Sequence, residues 1–291
     1  MTPADRPPGR WSDLERPPLN ATALRGALVT PEALWTSLEV TEVTGSTNAD
    51  LAERARRGTA APGTVLIAEE QTHGRGRLDR QWSAPARSGL FVSVLLRPEV
   101  PRERWGWLPL LAGVATVAGL TRVAGVGVTL KWPNDLLLEV GGEERKCGGI
   151  LSESTGEQGG PPAVVLGIGI NVSLRADELP VETAGSLLLA EAENTDRDPL
   201  LRAVLRSLDT WYTRWTAASG APDASGLREA CSAVCATLGR TVRAQLPDGT
   251  ELRGEAVALD DDGRLVIATG EGVQLPVSAA DIVHVRSAEQ G

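Results

Sequence analysis

Apolar positions along the chain change period several times, and each change marks an element. Short β-branched and apolar runs at residues 34–43, 64–68 and 90–96 read as strands. Residues 49–57 read as a helix that stops at Gly58, preceded by the polar run Ser46-Thr47-Asn48. Trp105 to about Val123 is predicted as a largely apolar core helix. Leu108, Leu111, Ala112 and Ala115 recur there at helical spacing, and its glycines permit close packing. Residues 128–132 and 136–140 read as strands flanking the turn formers Pro133, Asn134 and Asp135, with Gly141-Gly142 as a hairpin bend.

Residues 163–172 form an apolar strand in which Gly167 and Gly169 have the same parity and share a face. That face serves equally as a floor for a ring-shaped ligand or as room for a closely packed helix. Residues 175–198 are polar and small, a candidate mobile loop. Asp198-Pro199 opens a helix whose stripe of Leu201, Val204, Leu205, Leu208, Trp211, Tyr212 and Trp215 is core. A second helix is expected over 224–237. Beyond Gly239 short strands alternate with Gly- and Asp-rich turns at the spacing of a small all-β barrel, over about 239–287. At the other end, prolines at 3, 7, 8, 17 and 18 make residues 1–19 a tail, followed by a short helix that Asn20 caps and that presents Leu24 and Leu28. The expected organisation is a tail with a short helix over 1–30, a catalytic domain over 31–237 and a C-terminal domain over 238–291.

Composition narrows the class. A chain of 291 residues with 42% hydrophobic content builds one or two cores. A formal net charge of −9 and a pI near 5.0 argue against general binding to nucleic acid or to a membrane surface. Three scattered cysteines, Cys147, Cys231 and Cys235, fit reduced thiols of a cytoplasmic protein, small buried hydrophobes rather than metal ligands. The N-terminus lacks the basic and apolar regions of an export signal, no membrane span is expected, and thirty residues leave no room for a helix-turn-helix DNA module.

Against that acidic background three places stand out. Gly74-Arg75-Gly76-Arg77 alternates open backbone with guanidinium groups, an arrangement suited to gripping an anion, although alone it also fits a solvated basic turn. Ser46, Thr47 and Asn48 stand at a helix N-terminus, where one cap suffices and the spare hydroxyl and amide groups suit a polar ligand. Lys131 ends an apolar strand and, if kept inside, needs an anion. Gly148 and Gly149 are poor strand residues that call for a close approach to their backbone. The acidic run Asp260–Asp262 reads as a solvated turn, since no calcium-loop glutamate follows.

Taken in order, Gly45-Ser46-Thr47-Asn48, Gln71 with Gly74-Arg75-Gly76-Arg77, Lys131-Trp132-Pro133-Asn134-Asp135, Lys146-Cys147-Gly148-Gly149-Ile150-Leu151 and Gly167-Ile168-Gly169-Ile170-Asn171-Val172 resemble the catalytic module of biotin protein ligases. The resemblance covers about residues 40–175, with the small barrel after them. It implies an α/β (α+β) fold: a mixed-sheet domain related to lipoate ligases, then an SH3-like barrel. It implies ATP-dependent formation of biotinyl-5'-AMP, with Mg²⁺ carried by ATP, and transfer of biotin to a lysine of the carrier domain of an acyl-CoA carboxylase. No DNA partner is implied for this chain.

Carried over by motif, Ser46, Thr47, Asn48, Gln71, Gly148, Gly149 and Gly169 meet biotin. Arg75, Gly76 and Arg77 border biotin and phosphate, and Lys131 lies between the biotin carboxylate and the α-phosphate. Arg80, Asn134 and Asn171 complete the nucleotide site, and Asp135 stands near the metal. Asp79, where the family often has glycine, and Cys147, where an aliphatic residue is common, depart from the pattern. The alternatives are a lipoate or octanoyl ligase on the same scaffold, disfavoured by the polar run 46–48, and a non-catalytic biotin-binding module, disfavoured by Lys131.

Overall fold

Residues 15–155, 162–246, 249–270, 272–278 and 281–284 are described by the structure, a computed structural model. The chain begins with α1 (Ala21–Leu28), β1 (Ser37–Thr44), α2 (Thr47–Arg56) and β2 (Thr64–Gln71). A two-stranded hairpin, β3 (Gly74–Arg75) and β4 (Gln81–Trp82), then leads to β5 (Gly89–Leu96) and α3 (Trp107–Ala124). Strands β6 (Val128–Lys131), β7 (Asp135–Val140), β8 (Glu143–Thr155) and β9 (Ala163–Asn171) follow, then α4 (Arg197–Ala217) and α5 (Leu227–Val234).

Seven of these strands form one mixed sheet in the order β1-β2-β5-β9-β8-β7-β6, parallel between β1 and β2 and antiparallel elsewhere. The buried central strands read as continuous apolar runs because both faces are covered. On one face α2 sets Leu51 and Ala52 against Leu66, Leu95 and Val165. On the other, α3 and α4 build the main core, with Trp107, Leu108, Leu111, Leu205 and Trp215 fully buried. The two expected glycine contacts are here: a Cβ at Gly113 would lie 2.7 Å from Leu130, and one at Gly119 would lie 2.8 Å from the Val204 backbone. Residues 102–124 are long and apolar enough to cross a membrane, but they are the centre of this core.

Three expectations need correction. The described part of the 1–30 segment is docked rather than a tail. Leu19 donates its N–H to Glu69 (2.6 Å), and the buried Arg197 guanidinium bridges Glu69 (2.6 Å) and the Pro17 carbonyl (2.6 Å). A buried ion pair needs such added bonds to offset desolvation. Prolines exclude a helix there, yet they leave carbonyls to accept. The polar loop 175–198 is likewise anchored: Lys146 exchanges backbone bonds with Thr183 (2.9 Å) and Gly185 (2.8 Å), and Ser186 and Leu187 are buried.

The third correction concerns Asp260–Asp262. After α5, five antiparallel strands, β10 (Thr241–Gln245), β11 (Glu251–Leu259), β12 (Leu265–Ala268), β13 (Gln274–Val277) and β14 (Asp281–His284), form a second sheet in the order β13-β12-β11-β10-β14. Its acidic turn docks on the first domain. Asp261 accepts Trp107 Nε1 at its carbonyl (2.8 Å) and pairs with Arg228 (2.5 Å), while a Cβ at Gly106 would fall 2.3 Å from the Asp262 carbonyl. Pro247, Asp248 and Glu271, in two other expected turns, lie outside the described residues.

Candidate active site

Strand register lines up one row of residues across the sheet: Ala68, Phe91, Gly169, Gly149, Asp135 and Lys131 are successive cross-strand partners. Directly paired residues share a face. Two of the six lack side chains, so the row forms a trough with an aromatic ring at one end and an ammonium at the other. The trough is part of a cleft of about 1290 Å³.

At the aromatic end the site is built from hydroxyl and amide groups already satisfied by one another, by the backbone and by Glu153. Ser46 caps α2, its hydroxyl accepting from Ala49 N at 3.4 Å. Gln71 Oε1 accepts from the Thr47 backbone N–H (2.9 Å) and sits 3.1 Å from its hydroxyl, so the end of β2 holds the start of α2. Asn48 is buried beneath: Ser93 donates to its Oδ1 (2.6 Å), and its Nδ2 donates to Glu153 (2.8 Å). Helix α2 starts at Thr47, two residues earlier than the pattern suggested, because the cap is Ser46.

The two parity-matched glycines divide the alternatives between them. A Cβ at Gly167 would stand 2.3 Å from Asn48 Oδ1, so Gly167 admits the helix. Gly169 and Gly149 instead lie under the Trp82 ring, where Cβ atoms would come within 3.1 and 3.3 Å of it. Gly148, expected at the site, faces away from it, since side-chain direction alternates along β8 and its Cβ would meet Leu136 at 2.8 Å.

The Gly-Arg loop is the tip of the β3–β4 hairpin, closed by Gly76 N donating to the Arg80 carbonyl at 2.7 Å. Gly74 is obligatory, for a Cβ would overlap the Trp82 carbonyl at 2.3 Å. Arg75 pairs with Glu153 (3.0 Å), and Arg77 Nη1 donates to Asn134 Oδ1 (3.1 Å). The loop is therefore tied to the turn that follows Lys131. Asn134 Nδ2 donates to the Ile150 carbonyl (2.9 Å), and the buried Asn171 amide donates to the Gly185 carbonyl (3.0 Å). Nothing is described for the Asp79 side chain. Cys147 is buried on the opposite, α3 side of the sheet, and its thiol is pushed up to about 12 by burial.

At the ammonium end the second sheet supplies part of the wall. Arg240 makes two 2.6 Å bonds to Glu144 of β8, which hold that carboxyl below its ordinary range. Arg240 Nη1 also lies 3.1 Å from His284 Nδ1, and because a guanidinium only donates, Nδ1 accepts and Nε2 carries the proton toward Thr237 Oγ1 (3.1 Å). Burial, then Lys131 and Arg240, push His284 down to about 4, so the imidazole is neutral. Thr237 in turn accepts the Trp132 backbone N–H (3.0 Å), and Trp132 Nε1 reaches the Gly263 carbonyl (3.1 Å). Asp135 is paired with Lys146 (2.6 Å).

Six cationic side chains, Arg75, Arg77, Arg80, Lys131, Lys146 and Arg240, line this cleft against two carboxylates, Asp135 and Glu144, in a chain of net charge −9. Such a concave positive field concentrates anions. Ser46, Thr47, Asn48, Gln71, Gly76, Gly149, Gly169, Asn134 and Asn171 line it as well. Sequence reasoning missed Trp82, Ser93, Glu153 and the Glu144–Arg240–His284 corner. Glu153 was within reach, since residues 149, 151 and 153 share one strand face; the corner was not, because it joins two domains.

Residues 40–171 match the model of the biotin/lipoate A/B protein ligase family, and residues 237–285 match the biotin protein ligase C terminal domain. The chain is 41% identical over 278 residues to the biotin--[acetyl-CoA-carboxylase] ligase of Mycobacterium tuberculosis, covering 94% of this chain and 98% of that one. It is 34% identical over 243 residues to the ligase of the same name from Paracoccus denitrificans, covering 82% and 97%. Among solved structures, the biotin protein ligase from Aquifex aeolicus in complex with biotin and ATP superposes with a TM-score of 0.68 at 26% identity, covering 86% of this chain and all of that one.

Proposed function

The chain belongs to the biotin/lipoate A/B protein ligase family, and from that premise we propose that it activates biotin with ATP and passes the biotinyl group to a lysine of an acyl-CoA carboxylase carrier domain. The observation that carries this reading is the trough itself: a glycine floor topped by the Trp82 ring, ending at Lys131 in a cleft crowded with cations. In the first half-reaction a biotin carboxylate oxygen bonds to the α-phosphorus of ATP. The bond from that phosphorus to the bridging oxygen breaks, and pyrophosphate leaves with the electron pair. Two anions must meet, and at ~4 Å unit charges repel by roughly 4 kcal/mol at an effective dielectric near 20. Lys131, Arg75 and Arg77 offset that repulsion and stabilise the charge that develops.

Biotin's ring lies in the trough against the Trp82 ring that covers Gly149 and Gly169, with Thr47, Asn48, Gln71 and the Ser46 cap at its ureido end. Gly76, Arg77 and Arg80 fold over the phosphates, and Asn134 and Asn171 face the nucleotide. Among the described residues no group of three His, Cys, Asp or Glu side chains is placed to hold an ion. Mg²⁺ carried by ATP would screen the charge of the phosphates. Asp135, which pairs with Lys146 through one carboxylate oxygen, lines the same cleft.

In the second half-reaction the neutral acceptor amine attacks the carbonyl carbon and AMP leaves; the hairpin loop keeps the mixed anhydride from water meanwhile. The buried, unpaired thiols of Cys147, Cys231 and Cys235 suit a reducing cytoplasm. Mass spectrometry after incubation with biotin, Mg²⁺ and ATP is expected to show biotinyl-AMP, and then a biotinylated carrier domain once one is added. Absence of the adenylate, or equal adenylation of lipoate, contradicts the proposal.

A further inference from the structure

We propose that Glu153 is a positioning residue that sets ring specificity through its neighbours. It fixes the direction of the hydrogen-bond chain behind the ring end of the trough, so that this end takes a ring presenting N–H donors, a cyclic urea rather than a dithiolane. The inference rests on the ligase reading and says what in this chain selects the ring. Glu153 lies on the same face of β8 as Gly149 and Leu151. Each of its oxygens meets a donor, Asn48 Nδ2 at 2.8 Å and the Arg75 guanidinium at 3.0 Å. A carboxylate only accepts, so the Asn48 amide turns its nitrogen to Glu153 and its oxygen to Ser93. At the other end of the chain the Thr47 backbone N–H fixes Gln71 Oε1 as an acceptor in the same way (2.9 Å).

Between these fixed ends lie three oxygen–oxygen contacts: Asn48 Oδ1 to Ser93 Oγ at 2.6 Å, Ser93 Oγ to Thr47 Oγ1 at 2.7 Å, and Thr47 Oγ1 to Gln71 Oε1 at 3.1 Å. Two hydroxyl hydrogens serve them, one from Ser93, which is fully buried, and one from Thr47. Oxygens 2.6 and 2.7 Å apart need a hydrogen between them, whereas a 3.1 Å separation tolerates its absence. Thr47 therefore donates to Ser93, Ser93 to Asn48 and Asn48 to Glu153, every donor pointing toward the carboxylate. Thr47 Oγ1 and Gln71 Oε1 are left side by side on the cleft wall as acceptors, one hydrogen short. A ring N–H supplies it. The sulfurs of a dithiolane, or a ring that offers acceptors alone, leave the pair unsatisfied, and an unmade bond in a desolvated pocket is what discriminates between ligands of similar size.

The test is a ratio of dissociation constants, measured by calorimetry on the whole chain without ATP: biotin against its two carbamate analogues, in which one or the other ring N–H is replaced by oxygen. The wild-type chain is expected to prefer biotin to one of them by about tenfold or more, one hydrogen bond's worth. Glu153→Gln, nearly isosteric, keeps its oxygen for Arg75 and turns its amide nitrogen to Asn48. The Asn48 amide then flips, the chain reverses and Thr47 donates to Gln71. Biotin should bind this variant about tenfold more weakly, and the preference should vanish. Arg75→Ala removes the same ion pair but leaves the carboxylate, and should keep the preference. Ser93→Ala frees the Thr47 hydrogen for Gln71; it should lose the preference, and it serves if Glu153→Gln does not fold. The inference is overturned if the wild-type chain binds biotin and both analogues equally, or if Glu153→Gln and Ser93→Ala retain the wild-type ratio. It is also overturned if Arg75→Ala loses the ratio as fully, which would trace selectivity to the seating of the hairpin. Failure of the wild-type chain to form biotinyl-AMP would overturn the ligase reading, while the ratio, read without ATP, still decides the role of Glu153.

Discussion

The two ends of the cleft are organised by different forces. At the α2 end, Ser46, Thr47, Asn48, Gln71 and Ser93 are neutral and largely satisfied by one another before any ligand enters. Their shape is set by short-range bonds that lie between neighbouring strands and one helix. At the Lys131 end the groups are charged and are drawn from β6, β7, β8 and the second sheet, with Glu144, Arg240, His284 and Thr237 meeting across the domain boundary. The first end can be rigid without the second domain; the second cannot. On the proposed function, recognition of a neutral polar ring and stabilisation of transferring charge would fall to separate parts of the molecule, and variants should separate them.

The largest expected effect is at the charged end. Lys131→Ala should slow adenylate formation by about 10²–10³-fold, as loss of a preorganised charge-stabilising group does, with an unchanged melting temperature. A variant within a few-fold of wild type would remove Lys131 from the chemistry. Gly167→Ala strikes the neutral end instead. Its Cβ would overlap Asn48 Oδ1 at 2.3 Å, which should cost about 1–3 kcal/mol of stability, visible as a lowered denaturant midpoint. An undisturbed midpoint would show that the helix yields there.

Arg77→Ala breaks the tie between the hairpin and Asn134. It should shorten the lifetime of bound biotinyl-AMP by about tenfold, one charge-assisted bond's worth, as followed by release of radiolabelled adenylate. The smallest effect is in pH. The folded protein holds His284 down to about 4, against 6.5 for an ordinary imidazole. The unfolded chain takes up that proton first, so the stability is fully present above pH 6.5, declines as pH falls, and is lost below about 4. Urea midpoints at pH 7 and pH 5 should differ less in His284→Ala than in wild type.

Much of the neutral end was legible in the chain because it is local. Residues 46–48 announce a cap; Gly148 was expected at the site beside Gly149, and the alternation of faces along β8 turns it away. The same parity could not say which of Gly167 and Gly169 faces a helix, since that depends on where α2 crosses the sheet. Trp82 stood within the Gly-Arg stretch, but its place over the floor follows from the hairpin turning back at Gly76, a consequence of tertiary packing. The charged end was half legible: Lys131 was conspicuous in an apolar strand, whereas its companions lie 13, 109 and 153 residues further along at Glu144, Arg240 and His284. The docking of residues 15–19 and of Asp261 was hidden for the same reason. Proline-rich and acidic stretches carry solvent-like composition, while their carbonyls and carboxylates find arginines distant in sequence.

The central claim is that cations from the hairpin and from β6 act on one developing charge. A double-mutant cycle of Lys131→Ala and Arg77→Ala, read as the single-turnover rate of adenylate formation, tests it most directly. The account expects strong coupling, with the double variant much less impaired than the product of the two single losses, as for groups that work as a unit. Losses that simply multiply would place the two cations on separate tasks and contradict it.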